Sequence, residues 1–308
     1  MNRKGLTISF LVQANSLNYD EGYGNVSILK KIHRGNGYTY IFASRQSLRY
    51  SIVKYAVENL GWKYAPISST DVAQIDIEKM KKDNYFYEEA DLFGYMWTKG
   101  KGGAALPRTG VVKLTHLISL EPFFGDQELL SNKNFADRAG KDPNLANVET
   151  SLSIFKYSLS IDLDRVGVDE NLGFNLQPEE KIRRVNTLLE AVKNLYRDIR
   201  NRREDLKPIL AIGGVYPVKA LFFHNALNIY WSGSKPNLKI EPLEEVLNSE
   251  FEYFDGDKMV KSKVSDFTLK GVRKGIFGNL DNKEDWILSP EQVIDKIKKI
   301  VEKVYFEN

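Results

Sequence analysis

The sequence predicts an α+β fold on a ferredoxin-like βαββαβ core, and three observations carry that expectation. Apolar and polar residues alternate from Leu6 to Gln13 and again from Ile154 to Leu163, the period of half-buried strands. Each alternating run is followed by a segment of helical period, first with Leu48, Ile52, Tyr55 and Ala56 on one face, then with Ile182, Val185, Leu189 and Val192. The β-branched stretch Val111–Leu120 precedes the second alternating run, and Ile209–Ile212 follows the second helix, which completes the split βαβ order.

Taken in order, the first strand leads into a glycine- and asparagine-rich stretch, Ala14–Gly37, of a length that in loops usually signals function. Ser44 is placed to cap a helix running to about Leu60, with Gly61 just past its end. From Trp62 to Arg108 strand character fades, and Gly100, Gly102 and Gly103 close what reads as a partly helical insertion. Between the strands at 111–120 and 154–163 lie about thirty residues, Glu121–Ser153, where a hairpin needs only about 2–5; they read as a projecting element. Pro178, Glu179 and Glu180 open a long helix whose apolar stripe extends through Leu195 and Ile199, with Arg200, Arg202 and Arg203 suited to its C-terminal dipole. Ser289-Pro290-Glu291-Gln292 has capping-box form and starts a terminal helix. The stretch 216–288 has no clear period.

The chain has 308 residues, 42% hydrophobic and 28% charged, which suits a folded globular protein. With no cysteine there is no disulfide framework, thiolate metal site or cysteine nucleophile, and a reducing compartment, the cytoplasm, is the expected address. No apolar run reaches the roughly 20 residues of a membrane span, so no membrane partner is expected. The formal charge is only +3, yet residues 1–65 hold 9 basic against 3 acidic side chains, and residues 96–120 hold 4 against none. Such segments fit either a solvated surface or a groove for a polyanion.

Catalytic signals are sparse. The three histidines His33, His116 and His224 lack metal-ligand spacing, and Gly100-Lys101-Gly102-Gly103 is not a phosphate-binding loop of the Walker type. Asp162 and Asp164 sit at a strand end, where a Mg²⁺ site would want a further carboxylate from the first strand; pairing with Arg165 is the simpler reading. Asp20 and Glu21, in the long first loop, could activate water or a ribose hydroxyl, or simply be solvated.

The most informative constellation is Ser44-Arg45-Gln46-Ser47-Leu48-Arg49. A helix start offers free N–H groups to an anion, and Arg45 and Arg49, four apart, share a face. Those arginines either meet phosphates or pair with acids, and the residues leave both open. Lys99, Lys101, Arg108 and Lys113 surround the glycine loop, while Phe123, Phe124 and Phe135 in the projection could stack on bases or pack a small core. Together these features point to single-stranded nucleic acid. The aromatic signature of sheet-face binding in RNA-recognition domains is missing from Ile154–Leu163, so that mode is not expected.

An ordered set of short motifs adds a resemblance. Gly5-Leu6-Thr7, Ala14-Asn15-Ser16-Leu17-Asn18, Ser44–Tyr50, Asp91-Leu92-Phe93-Gly94, Thr115-His116, Ser119-Leu120-Glu121-Pro122, Tyr157–Leu163, Arg183-Arg184 and Ile212-Gly213-Gly214 follow one another over roughly residues 5–225. In that order they resemble the DevR-type backbone subunit of type I, I-B-like, CRISPR Cascade complexes, within the RAMP superfamily. The resemblance implies an RRM-like palm (1–61 and 109–225), a finger insertion (62–108), a thumb within the palm (121–153) and a C-terminal portion (226–308). It implies a non-catalytic subunit without cofactor or metal that polymerises along a guide RNA. Its partners would be that RNA, a target DNA strand paired to it, further copies of itself and other Cascade subunits. By position, Asn15, Ser44, Arg45, Gln46, Arg49, Lys99, Lys101 and Arg108 are the expected RNA contacts, and Phe123, Phe124, Phe135 and Arg138 the thumb residues that displace a base. Type III relatives cut RNA with an Asp in the loop after the first strand, which makes Asp20 the catalytic alternative.

Overall fold

The computed structural model describes residues 5–68, 73–98, 105–280, 283 and 286–306. Its centre is an antiparallel sheet formed by β1 (Gly5–Ala14), β2 (Lys31–His33), β3 (Thr39–Ala43), β4 (Val112–Leu114), β5 (Leu117–Ser119), β6 (Ser153–Asp162), β7 (Leu210–Tyr216) and β8 (Thr268–Val272). The spatial order is β8-β7-β1-β6-β5-β3-β2, with β4 also paired to β6. β1 runs between β6, in register from Gly5 opposite Asp162 to Ala14 opposite Ser153, and β7, from Gly5 opposite Tyr216 to Leu11 opposite Leu210. The expected βαββαβ core is therefore present, widened by β2 and β3 at one edge and β8 at the other.

Alternation decides what each face does. Leu6, Ile8, Phe10 and Val12 of β1 and Phe155, Tyr157, Leu159 and Ile161 of β6 pack against α1 (Arg45–Asn59), α2 (Pro178–Lys193) and α3 (Pro290–Phe306) in one buried cluster. On the opposite face Leu11, Ile154, Leu210, Ile212 and Tyr216 are covered by Phe223, Leu227, Leu238, Leu243, Val264, Phe277 and Trp286. The region without a period in the sequence is thus the second layer over the sheet. Both faces of the central strands are closed, which removes sheet-face recognition of the RRM kind. Gly213 and Gly214 allow this close stacking: a Cβ there would collide with the carbonyl oxygens of Thr7 and Phe267.

Three elements differ from the expectation. The Val111–Leu120 strand is broken at Thr115-His116: Leu114 stands opposite Leu159, but Ile118 stands opposite Lys156, leaving one extra residue on this strand. That is a β-bulge, stabilised where the Ser158 N–H donates to Thr115 Oγ1 at 2.9 Å. The long helix ends at Lys193, with Asn194 as its cap; Tyr196–Ile199 and Arg202–Asp205 form a hairpin instead. Arg200 and Asn201 make its turn with φ of 50° and 62°, a pair of left-handed residues characteristic of two-residue hairpin loops. Within 62–108, the helices Ile77–Asp83 and Glu88–Phe93 are followed by a hairpin of Gly94–Thr98 with Ala105–Thr109, so this insertion does contain strands. The segment 121–153 projects as a hairpin, Asp126–Ser131 with Leu145–Thr150, tipped by the helix Lys133–Ala139.

Candidate nucleic-acid interface

α1 begins where β3 leaves the sheet edge, and its first turn is fixed by local chemistry. Ser44 Oγ accepts the Ser47 N–H at 3.2 Å, and Ser47 Oγ donates to the Ser44 carbonyl at 2.8 Å. Asn18 Nδ2 approaches Ser44 Oγ at 3.5 Å, tying the long first loop to the helix start. The bulge at Thr115-His116 brings a further group: His116 Nδ1 accepts the Arg45 N–H at 3.0 Å, and the His116 ring sits edge-on to Phe42 at 5.4 Å between centroids. His116, which lacks metal-ligand spacing in the sequence, serves the helix start as part of its cap. The signal that could have found it is a Thr-His pair inside a β-branched run.

Arg45 and Gln46 are exposed, and Arg45 makes no side-chain ion pair among the described residues. Arg49 is half-buried, bonded to Glu89 at 3.1 Å and lying over the Phe93 ring at 5.1 Å. The two readings left open by the sequence thus split between two residues: Arg45 is unspent, while Arg49 is held by an acid and an aromatic. All three side chains line an open cavity of about 410 Å³, whose far wall is Phe93, Gly110, Val112, Lys113 and Leu114. Lys113 is half-exposed and bonds Asp162 at 3.0 Å.

Arg108 requires a correction. It is expected in a basic loop facing RNA, yet its side chain is 4% exposed, bonded to Asp91 at 2.7 Å and to Asp169 at 3.3 Å. Burial draws its guanidinium below the ordinary value, and Asp91 and Asp169 oppose that shift. Arg184, also buried, bonds the other oxygen of Asp91 at 2.9 Å, and the Gly167 N–H donates to the same carboxylate at 3.0 Å. This cluster joins the insertion to α2. Lys99 and Lys101 lie outside the described residues.

Asn15 is also engaged internally. Its side-chain oxygen accepts from the Ser16 N–H at 2.8 Å and from Thr150 Oγ1 at 3.0 Å, fastening the first loop to the base of the projection. Phe123 packs against the main core beneath Lys31, 4.7 Å from its ring centroid, whereas Phe124 and Phe135 are 72% and 70% exposed. Arg138 is exposed on the tip helix. Of the four projection residues singled out in the sequence, three are therefore at the surface and one belongs to the root.

The carboxylates behave as simpler chemistry suggests. Asp162 is met by Lys113, by Lys219 at 3.6 Å and by Arg165 at 3.7 Å, and Asp164 bonds Lys219, so Arg165 is the most distant of the three partners. Asp20 is exposed, 3.7 Å from Lys30 and bonded to the Glu21 N–H. Among the described residues no group of three His, Asp or Glu side chains could hold a metal ion. Nor, among them, is any helix long and apolar enough to cross a membrane.

Comparisons with known proteins agree with this architecture. Residues 6–226 match the family described as CRISPR-associated negative auto-regulator DevR/Csa2. A relative from Saccharolobus solfataricus, described as a CRISPR-associated aCascade subunit Cas7/Csa2, is 26% identical over 162 residues, 49% of this chain and 47% of that protein. The match spans about half the length of that relative. Chains from two solved structures, a CRISPR RNA-guided surveillance complex and such a complex before nicking, superpose with TM-scores of 0.57 and 0.60 at 16% and 14% identity. Each comparison covers 96% of this chain and 99% of the other. At such identities the likeness is one of fold, and it extends through the C-terminal layer that the motif series does not reach. The family match covers most of the chain, including the helix start, the bulge and the projection: the chain belongs to the DevR/Csa2 family of CRISPR-associated proteins.

Proposed function

We propose that the chain is a backbone subunit of a Cascade-type CRISPR surveillance complex, binding guide RNA rather than cutting it. The observation that carries this reading is the groove at the start of α1. There a capped, dipole-bearing helix end presents the unspent Arg45 and exposed Gln46 beside a cavity of about 410 Å³. The positive end of the helix dipole and a guanidinium favour phosphate, and a glutamine amide offers both donor and acceptor to a base or ribose. The projection supplies the second part: Phe124, Phe135 and Arg138 present exposed ring and guanidinium surface on which an unstacked base can rest. The relatives' descriptions favour assembly with other Cascade subunits, and assembly with further copies of the chain belongs to the same proposal. Pairing of the bound guide with a target DNA strand belongs to the same reading.

The test is incubation of the purified protein with end-labelled single-stranded RNA, with and without Mg²⁺, followed by nuclease footprinting and a denaturing gel. Periodic protection of intact RNA is the expected result. Mg²⁺-dependent fragments, lost in Asp20→Ala, would replace this reading with that of an endoribonuclease subunit. Replacing residues 127–147 by a short linker should leave the sheet folded and remove the periodicity. An unaltered footprint would mean that the projection displaces no base.

A further inference from the structure

On the face of the sheet away from α1 and α2, Lys156 occupies an unusual position. It lies in the centre of β6, is 9% exposed, and its ammonium donates to one partner, the Leu227 carbonyl, at 3.1 Å. An ammonium has three N–H donors, and this one has no carboxylate partner among the described residues. Burial so poor in compensation is rare for lysine. Two residues along the same face, Ser158 Oγ bonds Ser9 Oγ at 2.7 Å and His224 Nδ1 at 2.9 Å. His224 Nε2 makes no hydrogen bond among the described residues. The remaining charged neighbour is Arg34, in the turn between β2 and β3, exposed and stacked over Tyr40 at 5.4 Å.

The groups facing Lys156 are therefore two cationic or protonatable side chains, a backbone carbonyl and a hydroxyl chain. Burial and then Arg34 hold the Lys156 amine down to about 8, and burial and then Lys156 hold the His224 imidazole below its ordinary value. Three groups that can carry positive charge act on one another here, with no carboxylate bonded to any of them among the described residues. A protein that needed only packing here would be better served by an apolar side chain.

We propose that Lys156, His224 and Arg34 form an anion site for a phosphate group, at the border between the Arg34–Tyr38 turn and the 221–228 segment of the C-terminal layer. Lys156 supplies two free N–H donors, His224 Nε2–H a third, and Arg34 an exposed guanidinium that reaches from solvent. The site is distinct from the groove at the start of α1. Phe42 stands opposite Ile118 and Ile118 opposite Lys156, so the strand that leads into α1 lies two strands, about 10 Å, from Lys156. The phosphate could come from a nucleic-acid backbone continuing past the helix start or from a free phosphate compound. The site does not depend on the RNA reading.

The experiment is thermal unfolding of the full chain at pH 7 in inorganic phosphate and in chloride of matched ionic strength, for the native protein, Lys156→Met and His224→Gln. Expected are a rise in Tm of several degrees with phosphate in the native protein, no specific rise in Lys156→Met, and a reduced rise in His224→Gln. In chloride, Lys156→Met should melt higher than the native protein, because an uncompensated buried charge has gone. Equal phosphate increments in all three proteins, or no increment in the native one, would overturn the site. If Lys156→Met does not fold, His224→Gln decides alone: an undiminished increment sinks the proposal. Single-stranded RNA then identifies the source. A salt slope of RNA binding that is shallower in Arg34→Gln assigns a backbone phosphate. An unchanged slope, with the phosphate increment retained when RNA is bound, assigns a free one. Failure of RNA binding altogether would refute the proposed function and leave the phosphate response intact.

Discussion

Two arginine-bearing regions, less than one domain apart, use the same side chain in opposite ways. At the joint between the insertion and α2, Arg108 and Arg184 share the Asp91 carboxylate at 2.7 and 2.9 Å, and all three side chains are at most 4% exposed. At the start of α1, Arg45 is exposed and bonded to no acid among the described residues, over a helix end whose own groups are already capped. A guanidinium spent on a buried carboxylate organises the fold; one left unspent beside an open groove is available to a ligand. Sequence distance to a basic cluster does not separate the two cases, since Arg108 belongs to a stretch, 96–120, with four basic side chains and no acid. Burial and partners do.

The largest expected effect follows from the spent side. Asp91→Ala leaves two buried guanidiniums with no shared counter-charge, and breaking a buried ion pair from one side costs about 3–5 kcal/mol. A chemical denaturation series should show that loss. A change below about 1 kcal/mol would mean that Asp169 and Glu180 compensate and that Asp91 is not the keystone of the joint. On the unspent side, Ser44→Ala removes the cap of α1 and should destabilise by about 1 kcal/mol, with RNA affinity falling as the helix start frays.

Arg45→Ala sharpens the contrast, because it should leave the unfolding midpoint unchanged while weakening RNA binding. Each lost phosphate contact on a single strand reduces the slope of log K against log salt by about 0.7. An equal slope in both proteins would remove Arg45 from the interface. Arg49→Ala is expected to lower both affinity and stability slightly, since Glu89 at 3.1 Å loses its partner too.

Much of this was legible in the sequence, for reasons that can be named. Alternation of Leu6, Ile8, Phe10 and Val12 marks a strand because one face of β1 meets helices, and Ser44 marks a helix start because its hydroxyl satisfies a free N–H. The hairpin at 196–205 was hidden: Leu195 and Ile199 keep a helical spacing, and the deciding feature is backbone, the left-handed turn at Arg200-Asn201. The second layer over the sheet was hidden for another reason. Its contacts, such as Phe223 and Leu227 against Leu11 and Ile212, are long-range and impose no period on residues 217–288. At the site, residue type showed where cations gather but not which acids they meet. Arg108 and Arg45 are alike in sequence, and the presence of Asp91 and Asp169 around one of them is what sets them apart.

Lys113 stands between the two regimes and gives the smallest and most discriminating expectation. It lines the groove beside Arg45, yet it bonds Asp162 at 3.0 Å with its side chain 52% exposed. Asp162 keeps Lys219 and Arg165 within 4 Å if Lys113 is removed, and half-exposed pairs contribute about 0–1 kcal/mol. Lys113→Met should therefore change stability by no more than about 0.5 kcal/mol. Its effect on the salt slope should be smaller than that of Arg45→Ala, because the ammonium divides its charge between a phosphate and a carboxylate. A slope change equal to that of Arg45→Ala would show that RNA draws Lys113 away from Asp162. In that event the boundary between spent and unspent cations is set by the ligand as well as by the fold.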